Sequence, residues 1–159
     1  LIGPKNSDAE SLIVSDNPRL DFSLALSYLI DSGILIELDN LPKVHKSAKI
    51  ANSAIIMPGV IIGNDTVIEE NVVIHSGTKI GSNCIVRSNS VIGAQGFGFA
   101  QKHDGTWVRF PHLGGTEISN NVEIGALNSV CVGTLDDTVI NDGVKTDNLV
   151  PIAYNCYIG

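Results

Sequence analysis

Ile50, Ile56, Ile62, Ile68, Ile74, Ile80, Val86 and Ile92 recur every six residues without a break. Four places after each stands something small or modest: Ala54, Val60, Thr66, Val72, Thr78, Cys84, Ser90 and Gly96. An α-helix repeats at 3.6 residues and a flat strand alternates at two, and neither gives a repeat of six. Short strands joined by tight corners do. In a parallel β-helix each β-branched side chain stacks on its equivalent in the next coil, about 4.8 Å away. Burying one such side chain contributes roughly 1.5–3 kcal/mol, so a ladder of eight dominates the stability of the coil stack. The fold expected is all-β, a parallel β-helix.

After an excursion the ladder resumes at Ile118, Ile124 and Val130, shifts phase across "GTLDDT", and runs on through Ile140, Thr146, Ile152 and Ile158. The excursion, residues 94–117, reads as a hairpin: "FGFAQ" and "TWVRF" flank "KHDG", where Asp104-Gly105 suits a tight turn. "GAQGFG" at its start follows a hexad rather than opening a strand–helix unit, so it is not a dinucleotide loop. Ahead of the repeat, "SLIV" reads as a strand leading into a helix in "NPRLDFSLALSYLIDSG". Asn17 caps it, Pro18 takes its first position and Gly33 ends it. This divides the chain into a strand–helix segment at 1–40 and a β-helix domain at 41–159. Leu1 and Gly159, the latter inside a hexad, read as cuts in a longer protein.

Composition narrows the partners. Seventeen acidic against ten basic residues give a net charge of −7, which disfavours a surface that tracks nucleic-acid phosphates. No apolar run approaches the eighteen or so residues that cross a bilayer, so no transmembrane segment is expected. Cys84, Cys131 and Cys156 are odd in number and lack metal-type spacing; reduced thiols in a cytoplasmic protein, with no metal and no bound cofactor, are the reading.

The segments "SDNPRLDFSLAL", "VIGAQGFGFAQKHDGTWVRFP", "NNVEIGALNSV", "LDDTVINDGVKTDNLV" and "IAYNCYIG" run across nearly the whole chain. In order and spacing they resemble the hexapeptide-repeat acyltransferases, and among them the UDP-3-O-acyl-glucosamine N-acyltransferases of lipid A biosynthesis. The resemblance implies a left-handed β-helix assembled as a homotrimer, and makes residues 1–40 the remnant of an N-terminal nucleotide-binding domain. It also implies transfer of an acyl group from acyl carrier protein to the amino group of a UDP-linked amino sugar. A coenzyme A-dependent N-acetyltransferase of a nucleotide-linked amino sugar is the alternative chemistry. A non-catalytic sugar-nucleotide-binding homologue is the alternative class.

The resemblance departs from its pattern where chemistry is expected. A general-base histidine is implied at the place of Tyr154, glutamine or histidine at Pro151, Asp-Arg at Cys131-Val132, and aspartate at Gln95. An amine attacking a thioester must lose a proton; imidazole, with a pKa near 6.5, accepts it at neutral pH, whereas a phenol near 10 is better placed to donate a hydrogen bond. Tyr154 and Asp147 are therefore the catalytic candidates. Asn155, Asn148, Phe97, Phe99 and His112 are the substrate-binding candidates. Tyr154 occupies the same hexad place as Ser76, Ser88 and Asn148, so its side chain is expected to point outward. His45, His75 and His103 read as solvated, and Asp136-Asp137 as a polar bulge at the phase shift rather than a metal pair.

Overall fold

A computed structural model of the chain describes residues 2–3, 13–34 and 41–159. Residues 11 and 12 of "SLIV", and the division near residue 40, fall outside them. The described residues form two compact units, one drawn from residues 1–37 with 97–111 and one from residues 38–96 with 112–159.

The second unit is the β-helix. Its strands fall into three parallel sheets. The first holds Lys43–Val44, Ile61–Ile62, Thr78–Ile80, Thr116–Ile118, Thr138–Ile140 and Tyr157–Ile158. The second holds Lys49–Ile50, Val67–Ile68, Ile85–Val86 and Glu123–Ile124, and the third Ile55–Ile56, Val73–Ile74, Val91–Ala94, Ser129–Cys131 and Pro151–Ile152. Successive strands visit the three sheets in rotation as far as Thr138–Ile140; on the second face of that coil a single bridge from Lys145 to Glu123 stands in place of a strand. The register stacks the sequence ladder on itself: Ile50 on Ile68, Val86 and Ile124; Ile56 on Ile74, Ile92, Val130 and Ile152. Ile62, Ile80, Ile118, Ile140 and Ile158 form the third column. Most of these side chains are sealed from water, as are Val60, Val72, Cys84 and Val122 at the small places between them.

Several polar members of the interior are bonded to backbone, although the buried hydroxyls of Thr78 and Thr116 are not hydrogen-bonded. Thr66 Oγ1 donates to the Gly81 carbonyl at 2.8 Å and Ser90 Oγ to that of Gly125 at 2.8 Å. Thr146, the polar step of the ladder, accepts from the Gly125 amide at 3.0 Å and from Asn128 Nδ2 at 2.7 Å. Corners turn through left-handed residues, among them Asp65, Asn71, Asn83, Asn89, Asn121 and Asn155. Short polar side chains tolerate that conformation best after glycine.

Stacked residues are 18 apart in the early coils, 38 apart across the excursion and 22 apart across the phase shift. Both insertions are thus absorbed between strands without disturbing the ladder. On the second face Arg87 bridges two coils, with Nη1 2.8 Å from Glu69 Oε1 and Nη2 2.6 Å from Glu123 Oε1. Burial works against the Glu69 carboxylate, but donors from Arg87 and Ser88 outweigh it and hold its carboxyl below the usual range. A depressed folded pKa stabilises above the unfolded value and is lost as pH falls through the folded one. Arg87→Met is therefore expected to lower the thermal midpoint slightly at neutral pH. That difference should shrink in high salt and below about pH 4, as thermal melts across pH will show.

The first unit joins a helix, Pro18–Asp31, to the hairpin. Asn17 Oδ1 accepts from the Leu20 amide at 3.2 Å, Pro18 opens the first turn, and Gly33 follows the end at φ 70. Strand Ile13–Val14 pairs in parallel with Ile2–Gly3. The hairpin strands, Phe99–Gln101 and Trp107–Arg109, pair antiparallel with Ala100 opposite Val108, and Gly105 makes the turn at φ 85. Ser23 Oγ donates to the Arg109 carbonyl at 3.0 Å and the rings of Phe22 and Phe110 meet at 5.8 Å, which fastens helix to hairpin. No helix among the described residues is long and apolar enough to cross a membrane.

Candidate active site

Tyr154 lies two residues beyond the ladder residue Ile152, where the third face turns its corner. It is half-buried, because the chain returning from the excursion passes beside it. That return begins with His112, only 4% exposed, whose ring meets Tyr154 edge-to-face with centroids 4.7 Å apart. Gln95 holds the histidine's backbone from both sides: its Nε2 donates to the His112 carbonyl at 3.1 Å and its Oε1 accepts from the His112 amide at 3.2 Å. Gly96 closes the group. A Cβ built there falls 2.5 Å from Tyr154 Cδ1 and 2.7 Å from His112 Nε2, so only glycine lets both rings come this close.

The other replaced positions lie around the same coils. Cys131 is the register partner of Ala94, and the Val132 amide donates to the Ala94 carbonyl at 2.8 Å. Burial, and then the neighbouring Cys156, push the Cys131 thiol up, which leaves it protonated and a poor nucleophile. Pro151 stacks on Ser129 in the same sheet.

The remaining candidates separate. The Asp147 carboxylate accepts from the Asn148 amide at 2.7 Å, and Asn148 Oδ1 from the Ala126 amide at 2.7 Å. Asn155 Oδ1 accepts from the Thr134 amide at 2.7 Å while its Nδ2 donates to Thr134 Oγ1 at 3.0 Å. The asparagine contacts tie one coil to the next. Asn155 also lines an open groove of about 410 Å³ with Thr134, Leu135, Asp136 and Asp137. Asp137 accepts from the Gly115 amide at 2.6 Å and lies 3.9 Å from Lys79 Nζ, as a residue anchoring the bulge does. Among the described residues no cluster of three or more potential metal ligands forms.

Phe97 and Phe99 belong to the hairpin unit. Phe97 is 86% exposed and 5.0 Å from Phe99, over which Arg109 sits at 4.7 Å. Of the other histidines, His45 and His103 are exposed and His75 half-buried. Sequence spacing could not reveal the clamp by Gln95 or the closeness of His112 to Tyr154. The available signal was that positions 95 and 154 both depart from the pattern of the resemblance.

Three strands to a coil and a six-residue ladder define a hexapeptide-repeat β-solenoid, and residues 42–76 and 61–94 match the bacterial transferase hexapeptide (six repeats) family. At closer range the chain is similar to enzymes named UDP-3-O-acylglucosamine N-acyltransferase. It is 57% identical over 67 residues to those of Acidovorax sp. (strain JS42) and Saccharophagus degradans, and 52% identical over 67 residues to that of Chlorobium chlorochromatii. The aligned stretch is 42% of this chain and about a fifth of each relative: 20% of the first and 19% of the other two.

Proposed function

We propose that the protein is an N-acyltransferase that moves an acyl group from a carrier-protein thioester to the amino group of a UDP-linked acylglucosamine, in the cytoplasm, on the path to lipid A. The observation that carries this reading is the 57% identity over 67 residues to proteins named for that transfer. The enclosed His112–Tyr154 cluster supports it, since it sets an imidazole and a phenol together beside the positions that the resemblance marks as catalytic. Tyr154 would present its hydroxyl to the oxyanion that develops as the thioester is attacked. Asp147, Asn148 and Asn155 would set the corners around it, and Phe97 and Phe99 would meet the acyl or sugar portion of a substrate.

The test is turnover by the intact protein with UDP-3-O-acylglucosamine as acceptor and, in parallel, acyl-carrier-protein and acyl-coenzyme A thioesters. Amide product from the carrier-protein thioester alone is the expected result. Product from coenzyme A alone would replace the donor, and sugar-nucleotide binding without product from either would favour a non-catalytic binder, the reading that Tyr154 in place of the implied histidine favours.

Assembly as a homotrimer belongs to the same proposal. Ile55, Val73 and Val91 point outward in one row of the third face, and Ile55 is 56% exposed, which suits a face covered by another copy. Sedimentation equilibrium is expected to give three times the protomer mass; a monomer at high concentration would remove any role for a neighbouring subunit in the site.

A further inference from the structure

Among the described residues, eight that are not glycine turn corners in the left-handed conformation. Six are aspartate or asparagine, whose short polar side chains tolerate it. The other two are leucines, Leu127 at φ 56 and Leu149 at φ 61. They share one column. At successive levels the Asn89 amide donates to the Glu70 carbonyl, the Leu127 amide to that of Ser88 and the Leu149 amide to that of Ala126. The column therefore runs Asn71, Asn89, Leu127, Leu149 along the stacked corners between the second and third faces. Its first two members bond to each other, Asn71 Nδ2 donating to Asn89 Oδ1 at 3.3 Å. Its last two are strained and apolar, yet exposed: 55% for Leu127 and 70% for Leu149. Asparagine would suit both the backbone and the solvent. Strain of this kind gathers at ligand contacts and other functional sites.

Asn128, 2% exposed, pins the Leu149 segment from inside the coil. Its Nδ2 donates to the Thr146 hydroxyl oxygen at 2.7 Å and to the Asp147 carbonyl at 2.9 Å, and its Oδ1 accepts from the Val150 amide at 2.7 Å. The leucine is thus presented on a fixed backbone. Asp147 and Asn148, two of the site candidates, are exposed on the same corner. A second copy of the chain is a poor match for the pair. Each partner in a stable complex covers about 800 Å², and two side chains on an edge shared with Ser88, Asn89 and Asn148 supply a small part of that. A flexible aliphatic chain laid along the column needs only the width of one leucine. We propose that Leu127 and Leu149 hold a fatty acyl chain beside the Asp147–Asn148 corner and so set the preference for acyl length. The inference rests on the acyltransferase reading given above, which supplies two such chains: the one transferred and the one already on the acylglucosamine.

The experiment measures kcat/KM of the intact protein with short and long saturated acyl thioesters at fixed acceptor, then with short and long 3-O-acyl acceptors at fixed donor. The double variant Leu127→Asn, Leu149→Asn is expected to raise the thermal midpoint by about 2–5 °C, because asparagine relieves the strain. In one arm it should lower kcat/KM for the long chain by about 10–100-fold and for the short chain by less than about threefold. The arm in which the fall occurs tells whether the donor's or the acceptor's chain lies on the leucines. Replacing both leucines by methionine keeps the apolar contact and should keep the long-chain preference. Leu41→Asn, at an 86% exposed leucine outside the column, should change neither readout. An equal fall for short and long chains in both arms, or no fall, overturns the assignment while leaving the transferase reading in place. So does a loss of assembly mass in sedimentation, which would make the pair a contact between copies. Wild type that turns over no donor with any acceptor overturns the transferase reading, and this inference with it.

Discussion

Ile74→Asp is expected to destroy the solenoid's cooperative fold, lowering its stability by more than about 4 kcal/mol and its thermal midpoint by about 15 °C or more. Ile74 is fully buried, stacked between Ile56 and Ile92 on the third face. No partner for a carboxylate lies in that column of aliphatic side chains, so the substitution either strands a charge in a dry interior or forces its protonation. Ser129→Asp is the control: this residue is exposed, and its neighbour Val130 is the one that points inward. A midpoint unchanged by Ile74→Asp, read by circular dichroism, would reject the register of the entire face.

Gly133→Ala should come second in size, at about 3 kcal/mol, the upper end of what overpacking costs. A Cβ there falls 1.8 Å from the Asp136 carbonyl oxygen and 2.9 Å from its carbon. Both are backbone atoms, so no rotamer change relieves the clash and the 134–137 loop must move. That loop carries the Thr134 amide and hydroxyl gripped by Asn155, and the displacement should therefore also loosen the corner beside Tyr154. Gly143→Ala separates crowding from backbone strain: it has φ 78 but nothing within 4 Å of its Cβ, so it should cost only about 1–2 kcal/mol. Equal losses in the two variants would mean that strain, not contact, rules at position 133.

The solenoid was legible because its physics is periodic: one β-branched residue per strand, a fixed step, and identical neighbours above and below. The capped helix was legible for the opposite reason, since Asn17, Pro18 and Gly33 each act on backbone within a few residues of themselves. What links position 112 to position 154 is neither periodic nor local. It arises from where the chain resumes the coils after the excursion, and the hexad phase that sets Tyr154 outward describes a coil with nothing lying across it. Asn148 and Asn155 were similarly opaque. As single residues they resemble substrate-binding amides, and only the stacked coil shows the amides of Ala126 and Thr134 already bonded to them. The Gln95 clamp spans the excursion from its first residues to its last, and no spacing rule reaches across a loop of that length.

The two insertions, though separate in sequence, are bonded to each other. The Leu113 amide donates to the Thr134 carbonyl at 2.8 Å, Gly114 to that of Gly133 at 3.1 Å, and Gly115 to the Asp137 carboxylate at 2.6 Å. Each loop completes the hydrogen bonding of the other. Shortening either one back to a plain corner would orphan amides in its neighbour, a cost of about 1–3 kcal/mol for each group left buried without a partner. Among descendants of a common ancestor, the lengths of these two loops should therefore be gained and lost together, and a lineage that trimmed one would be under immediate selection to trim the other.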